Sequence, residues 1–127
     1  MEYLTIVAML ALVQYIAFGI TVGRARGRTG VAAPATSGHE EFDRYFRVHQ
    51  NTLEQLVVFL PGLLAFGIYI DAHIGAGLGV IYLIGRQIYL MSYTKDPASR
   101  GLGFALTFLP SLILVVGGIV GAVMGLM

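Results

Sequence analysis

The stretch FDRYFRVHQNTLEQ, Phe42–Gln55, runs without a break into the apolar LVVFLPGLLAFGIYI, Leu56–Ile70. Stepped as a helix at about 100° per residue, Arg44, Arg47, Asn51 and Glu54 fall within about 80° of one another, with Gln55 beside them. Lipid cannot satisfy a polar stripe that feeds into a span. The stripe must face protein, water or a ligand, and the rest of the chain has to supply that partner.

Composition sets the class. The chain has 127 residues, of which 57% are hydrophobic and 12% charged, with a mean hydropathy of +0.78. A soluble domain carries about 25% charged residues, so the shortage predicts a small integral membrane protein. Seventeen glycines fit close helix–helix contact in a bilayer. The absence of cysteine excludes a disulfide framework, a thiolate metal site and a cysteine nucleophile. Any thiol chemistry would use a thiol brought by a substrate. Trp is absent too, leaving Tyr and the basic residues to anchor the interface.

Leu4–Val22 is apolar except for Gln14, close to the roughly 20 residues that one span needs. Its amino end carries Glu2 and no basic residue, and Arg24, Arg26 and Arg28 follow it. That order is the reverse of a secretory signal, so a retained helix is expected. Gly23–Gly38 reads as a loop. Ser37 with Glu40 forms a candidate capping box that starts the next helix near Gly38. Asp71–His73 is a short outer turn. Asp96 is placed to cap the last helix, with Pro97 at its first position. Pro61 and Pro110 are expected to bend their helices.

The expectation is a single domain over 1–127, with helices at about 2–23, 38–70, 74–93 and 97–126. Its fold class is all-α, an integral-membrane four-helix bundle running up-down-up-down. Arg24, Arg26, Arg28, Arg44, Arg47, Lys95 and Arg100 then share one side, and Glu2 and Asp71 lie on the other. Positive-inside placement puts both termini outside and the polar stripe toward the cytoplasm.

Helix 3 answers helix 2. Tyr82, Arg86, Tyr89 and Tyr93 are spaced i, i+4, i+7, i+11 and share one face. Arg86 lies inside the span, where an arginine costs roughly 2.5–3.5 kcal/mol on insertion scales. Glu54, at a similar depth, is its expected neutraliser. Two readings stay open here. One is a purely structural Arg86–Glu54 pair holding the bundle. The other is a ligand site, because Arg44, Arg47, His49, Asn51 and Arg100 crowd the same end. Guanidinium forks, an amide, a carboxylate and phenols suit a small ligand with carboxylates and an amine. An apolar groove between helices would suit a lipophilic second molecule.

Other features carry less. His39 and His73 have no companions at ligand spacing, so no metal site is expected, and His39 reads as a solvated loop residue. Gly75, Gly77 and Gly79 lie in an apolar span and read as packing positions, not a phosphate loop. Arg24–Arg28 reads as a topology determinant in contact with lipid headgroups, Arg26 being the residue set apart for testing. Nothing supports nucleic-acid binding.

Arg44-Tyr-Phe-Arg47-Val-His-Gln-Asn51-Thr-Leu-Glu54 resembles the helix 2 motif of the MAPEG family, the membrane-associated proteins in eicosanoid and glutathione metabolism. Arg86-Gln-Ile-Tyr89-Leu-Met-Ser-Tyr93, followed by Arg100, resembles that family's helix 3 motif and the arginine opening helix 4. The resemblance implies a homotrimer with glutathione as co-substrate, bound at each subunit interface toward the cytoplasm. It implies that Arg47, Asn51, Glu54, Tyr89 and Tyr93 bind glutathione, joined by His49 and Arg26. Arg100 would stabilise the glutathione thiolate. Arg44 and Arg86 would support the site, and Tyr82, on the Arg86 stripe, is grouped with them.

Two positions depart from the pattern. Gln55 stands where leukotriene C4 synthase-like members have a Tyr, and Gly27 where that branch has a second arginine. A leukotriene-type specificity is therefore not expected. The short helix 2–3 turn resembles bacterial members, which implies a bacterial inner membrane. The implied activity is glutathione transfer or peroxidase chemistry on hydrophobic electrophiles or lipid hydroperoxides, a detoxifying role. The alternative within the family is a non-catalytic lipid-binding scaffold. A third reading is a structural or transport subunit whose stripes are only interhelical polar glue.

Overall fold

In a bilayer a backbone must close its hydrogen bonds within the segment, so uncharged runs of this length become helices. The computed structural model describes residues 1–127. It contains α1 (Glu2–Thr29), α2 (Glu40–Tyr69), α3 (Ala72–Lys95) and α4 (Gly101–Gly125), with a 3-10 turn at Pro97–Ser99 before α4. All four helices are long and apolar enough to cross a membrane.

Packing gives the topology. Near one end Leu4 of α1 meets Gly67 of α2 and Gly75 of α3. Near the other Phe18, Val48 and Tyr89 form one cluster, and Gly103 of α4 lies against Tyr89. Each helix therefore reverses the one before it, up-down-up-down as expected. α2 and α3 form the middle of the bundle, with α1 packed on one side of them and α4 on the other.

Glycine sets the α3–α4 spacing. A Cβ placed on Gly103 would lie 2.5 Å from the backbone N of Tyr89. One on Gly85 would lie 2.8 Å from the carbonyl carbon of Leu106. Only hydrogen fits at either crossing.

The helix ends differ from expectation, each for a local reason. α1 does not stop before Gly23 but runs to Thr29. Arginine is a good helix former, and a Cβ on Gly23 or Gly27 would meet nothing. The helix ends at Gly30, whose φ of 77° makes a left-handed cap and whose N–H donates to the Arg26 carbonyl. Ser37 does not cap α2. His39 does, its ring nitrogen accepting the Glu41 N–H at 3.1 Å, so His39 is solvent-exposed as expected and also caps the helix. Asp71 caps α3 by accepting the Ile74 N–H at 2.9 Å, and that bond holds its carboxyl below the usual carboxylate range. Asp96 accepts from Ala98 at 3.1 Å, but it caps the 3-10 turn, leaving Arg100 at the head of α4. α2 and α4 continue through Pro61 and Pro110.

Candidate functional site

The two polar stripes meet inside the bundle. Arg86 is fully buried. Its Nε donates to Thr107 Oγ1 at 3.1 Å, and its Nη1 to Asn51 Oδ1 at 2.8 Å and Thr52 Oγ1 at 3.3 Å. Its guanidinium carbon stands 4.2 Å from the centre of the Tyr89 ring, a cation–π contact. Both threonine hydroxyls donate to their own helix, to Val48 and Gly103 carbonyls, which leaves their lone pairs for the arginine. Thr52 and Thr107 were not among the residues singled out from the sequence. Thr107 was detectable as a rare polar residue in the charge-free fourth span.

The expected Arg86–Glu54 pair is not formed. Asn51 takes that place, because it sits about 60° nearer the bundle interior on α2 than Glu54 does. Glu54 turns to the surface and pairs with Arg47 at 3.7 Å, both side chains about half exposed. Asn51 joins the two layers, since its Nδ2 lies 3.4 Å from Glu54 Oε1. A chain of contacts thus runs from Thr107 through Arg86, Asn51 and Glu54 to Arg47 at the surface.

Tyr89 and Tyr93 extend the wall. Their rings stack with centroids 5.4 Å apart; Tyr89 is buried and Tyr93 half-buried. Gly103 of α4, three residues after Arg100, lies against the Tyr89 backbone. Arg100 is exposed, makes no ion pair, and precedes an α4 N-terminus that has no side-chain cap. Tyr82 instead stacks on Phe59 at 3.8 Å inside the core. Its hydroxyl and Arg86 Nη2 are both buried without a partner.

Three expected site residues have other neighbours. Arg44 donates to the Thr94 and Lys95 carbonyls at 3.3 and 2.9 Å and pairs with Glu40, clamping α2 to the end of α3. Arg26 donates to the Ala35 carbonyl at 2.8 Å and lies over the Phe42 ring at 4.6 Å, tying down the α1–α2 loop. His49 stacks on Tyr15 of α1 at 4.3 Å. It lies about 160° around α2 from Arg47. On α2, then, Arg47, Asn51 and Glu54 share one face; on α3, Tyr89 lies against Arg86 and stacks with Tyr93; Arg26 and His49 face the other way, among residues of α1 and the α1–α2 loop.

An apolar seam continues from the Arg47–Glu54 face toward the end of the bundle that carries Asp71. Between α2 and α4 a groove of about 160 Å³ begins at Gln55 and Ser111. It leads through Val58 and Val115 into a second groove of about 400 Å³ floored by Gly62 and Gly118. A charged polar face with an apolar trough behind it suits a small charged molecule and a lipophilic partner.

Four apolar helices around a buried polar ladder define an integral membrane protein. The chain belongs to the MAPEG family, whose family model matches residues 4–120. It is 49% identical over 114 residues, 90% of the chain and 83% of the relative, to a Synechocystis protein described as uncharacterized. It is 35% identical over 104 residues to human microsomal glutathione S-transferase 2, covering 82% of the chain and 71% of the relative. To guinea-pig (Cavia porcellus) leukotriene C4 synthase it is 32% identical over 97 residues, 76% of the chain and 65% of the relative.

Proposed function

We propose that this protein is a membrane-bound glutathione transferase that also reduces lipid hydroperoxides. The observation that carries this reading is the exposed Arg47–Glu54 pair with Asn51 behind it; an Arg100 without an ion pair heads α4. The names of the relatives, microsomal glutathione S-transferase 2 among them, support it. Arg47 offers a fork to a glutathione carboxylate, and Glu54 an acceptor for its ammonium. Tyr93 closes one wall.

Arg100 and the positive end of α4 hold the glutathione sulfur. A free thiol titrates near about 8.5, and a neighbouring cation lowers that value. The thiol proton leaves to solvent and the thiolate attacks. With an electrophilic carbon, a C–S bond forms and the leaving group departs with its electron pair. With a hydroperoxide, sulfur takes the distal oxygen as the O–O bond breaks. The lipid leaves as its alkoxide, which takes a proton from solvent to give the alcohol, and the glutathione sulfenic acid reacts with a second glutathione, giving the disulfide and water. The protein supplies proximity and charge, not a covalent nucleophile.

The separation of Arg26 and His49 from the Arg47 side supports a site shared between subunits. A second copy presenting its α1–α2 side to the α2–α4 edge would bring both sets to one ligand, and a homotrimer closes such a head-to-tail arrangement. The basic ends at Arg24–Arg28 and Arg44–Arg47 support a cytoplasmic site in a bacterial inner membrane, with both termini outside. The test is calorimetric titration of the purified protein with glutathione, then turnover of an aryl halide and a lipid hydroperoxide. Saturable binding with thioether or alcohol formation is expected. Absence of glutathione binding would end the proposal.

A further inference from the structure

Arg86 is a donor-only side chain, and its Nη1 points at the Asn51 amide from inside the bundle at 2.8 Å. Only the carbonyl oxygen of that amide can accept from an arginine. Asn51 is therefore held with Oδ1 inward and its NH2 group turned out, toward Glu54 Oε1 at 3.4 Å. Arg86 is itself fixed by Thr107 and Thr52 and packed over Tyr89. It meets no carboxylate, so its buried charge acts on Asn51 and, through it, on Glu54. With Asn51 only 8% exposed, its amide has little freedom to turn.

We propose that Arg86 is a positioning residue that sets the polarity of the Asn51 amide, so that this edge of the site presents N–H donors and selects an acceptor oxygen on the bound peptide. This rests on the glutathione reading above. The outward NH2 does not neutralise a carboxylate, as Arg47 does. It fixes the register of the peptide by taking a carbonyl or carboxylate oxygen and refusing an N–H. Glu54, beside it, accepts. The pair is a donor next to an acceptor, which matches one orientation of an amide-containing ligand and mismatches the reverse.

Asn51 is the single asparagine in the chain, so selective side-chain ¹⁵N-asparagine labelling gives one NH2 signal. In the wild-type protein, glutathione is expected to shift that signal on the same titration curve that calorimetry reads. Arg86→Lys keeps a donor-only group and is expected to retain a single NH2 signal and affinity within about threefold of wild type. Arg86→Gln carries both a donor and an acceptor. It is expected to split or broaden the NH2 signal and weaken binding about tenfold, or ~1.4 kcal/mol. A purely structural Arg86 would lower thermal stability in both variants and leave the affinity of the folded fraction unchanged. Equal affinities in the two variants, or glutathione binding that leaves the NH2 signal unmoved, would overturn the proposal. If neither variant folds, the wild-type spectrum decides: a single Asn51 NH2 environment is expected, and two exchanging environments would overturn the proposal. No calorimetric binding by wild type counts instead against the glutathione reading.

Discussion

Gly103→Ala tests the geometry that places Arg100. The new Cβ would sit 2.5 Å from the Tyr89 backbone N and 2.7 Å from its Cα. These are backbone atoms of a neighbouring helix, so no rotamer change relieves the clash. Reaching an ordinary contact of 3.4 Å requires α4 to back away by about 0.9 Å. Overpacking of this kind costs ~1–3 kcal/mol. The helix propensity gained from replacing glycine offsets up to ~1 kcal/mol, for a net loss of ~0–3 kcal/mol. Arg100 lies three residues earlier, within the turn that must move. Glutathione conjugation should therefore fall more than stability alone explains. The assay is thermal unfolding in detergent with conjugation measured on the folded fraction. Gly77→Ala is the control, since a Cβ there meets nothing and stability should hold or rise. Gly103→Ala matching Gly77→Ala in both readouts would refute the close α3–α4 crossing.

Two further substitutions separate structure from site. Arg44→Ala removes donors to two carbonyls at the end of α3 and the Glu40 pair; a loss of ~1–3 kcal/mol is expected, read by thermal unfolding. Gln14→Leu gives up one bond, from Nε2 to the Leu83 carbonyl at 2.9 Å, but also removes a buried Oε1 with no partner. Stability is expected to change by less than ~1 kcal/mol, because the lost bond and the removed desolvation oppose each other.

The four spans were legible because hydrocarbon enforces helices on long uncharged runs. The ends were less so. Gly23 and Gly27 look like breakers in a string, yet each costs only about 1 kcal/mol in a helix interior, and the real stop is the left-handed Gly30. His39 outcompeted Ser37 as a cap through a ring nitrogen that capping rules built on hydroxyls and carboxylates do not weigh. Within the site, the meeting of the two stripes followed from periodicity. The partner of Arg86 did not, because charge pairing favoured Glu54 while the short amide of Asn51 and two threonine hydroxyls lay closer. Pairwise charge matching misses such ladders of neutral acceptors. Periodicity does turn His49 about 160° from Arg47, but it does not say that Arg26, on another helix, lies over Phe42 and away from Arg47.

The central claim is that this protein holds glutathione as its thiolate beside Arg100. Mixing purified protein with glutathione near neutral pH and following the ultraviolet absorbance of the thiolate tests it directly. A saturable rise is expected in wild type and its loss in Arg100→Ala, with glutathione still bound by calorimetry. An equal rise in both proteins would contradict the role of Arg100, and glutathione bound with no rise in wild type would contradict thiolate formation itself.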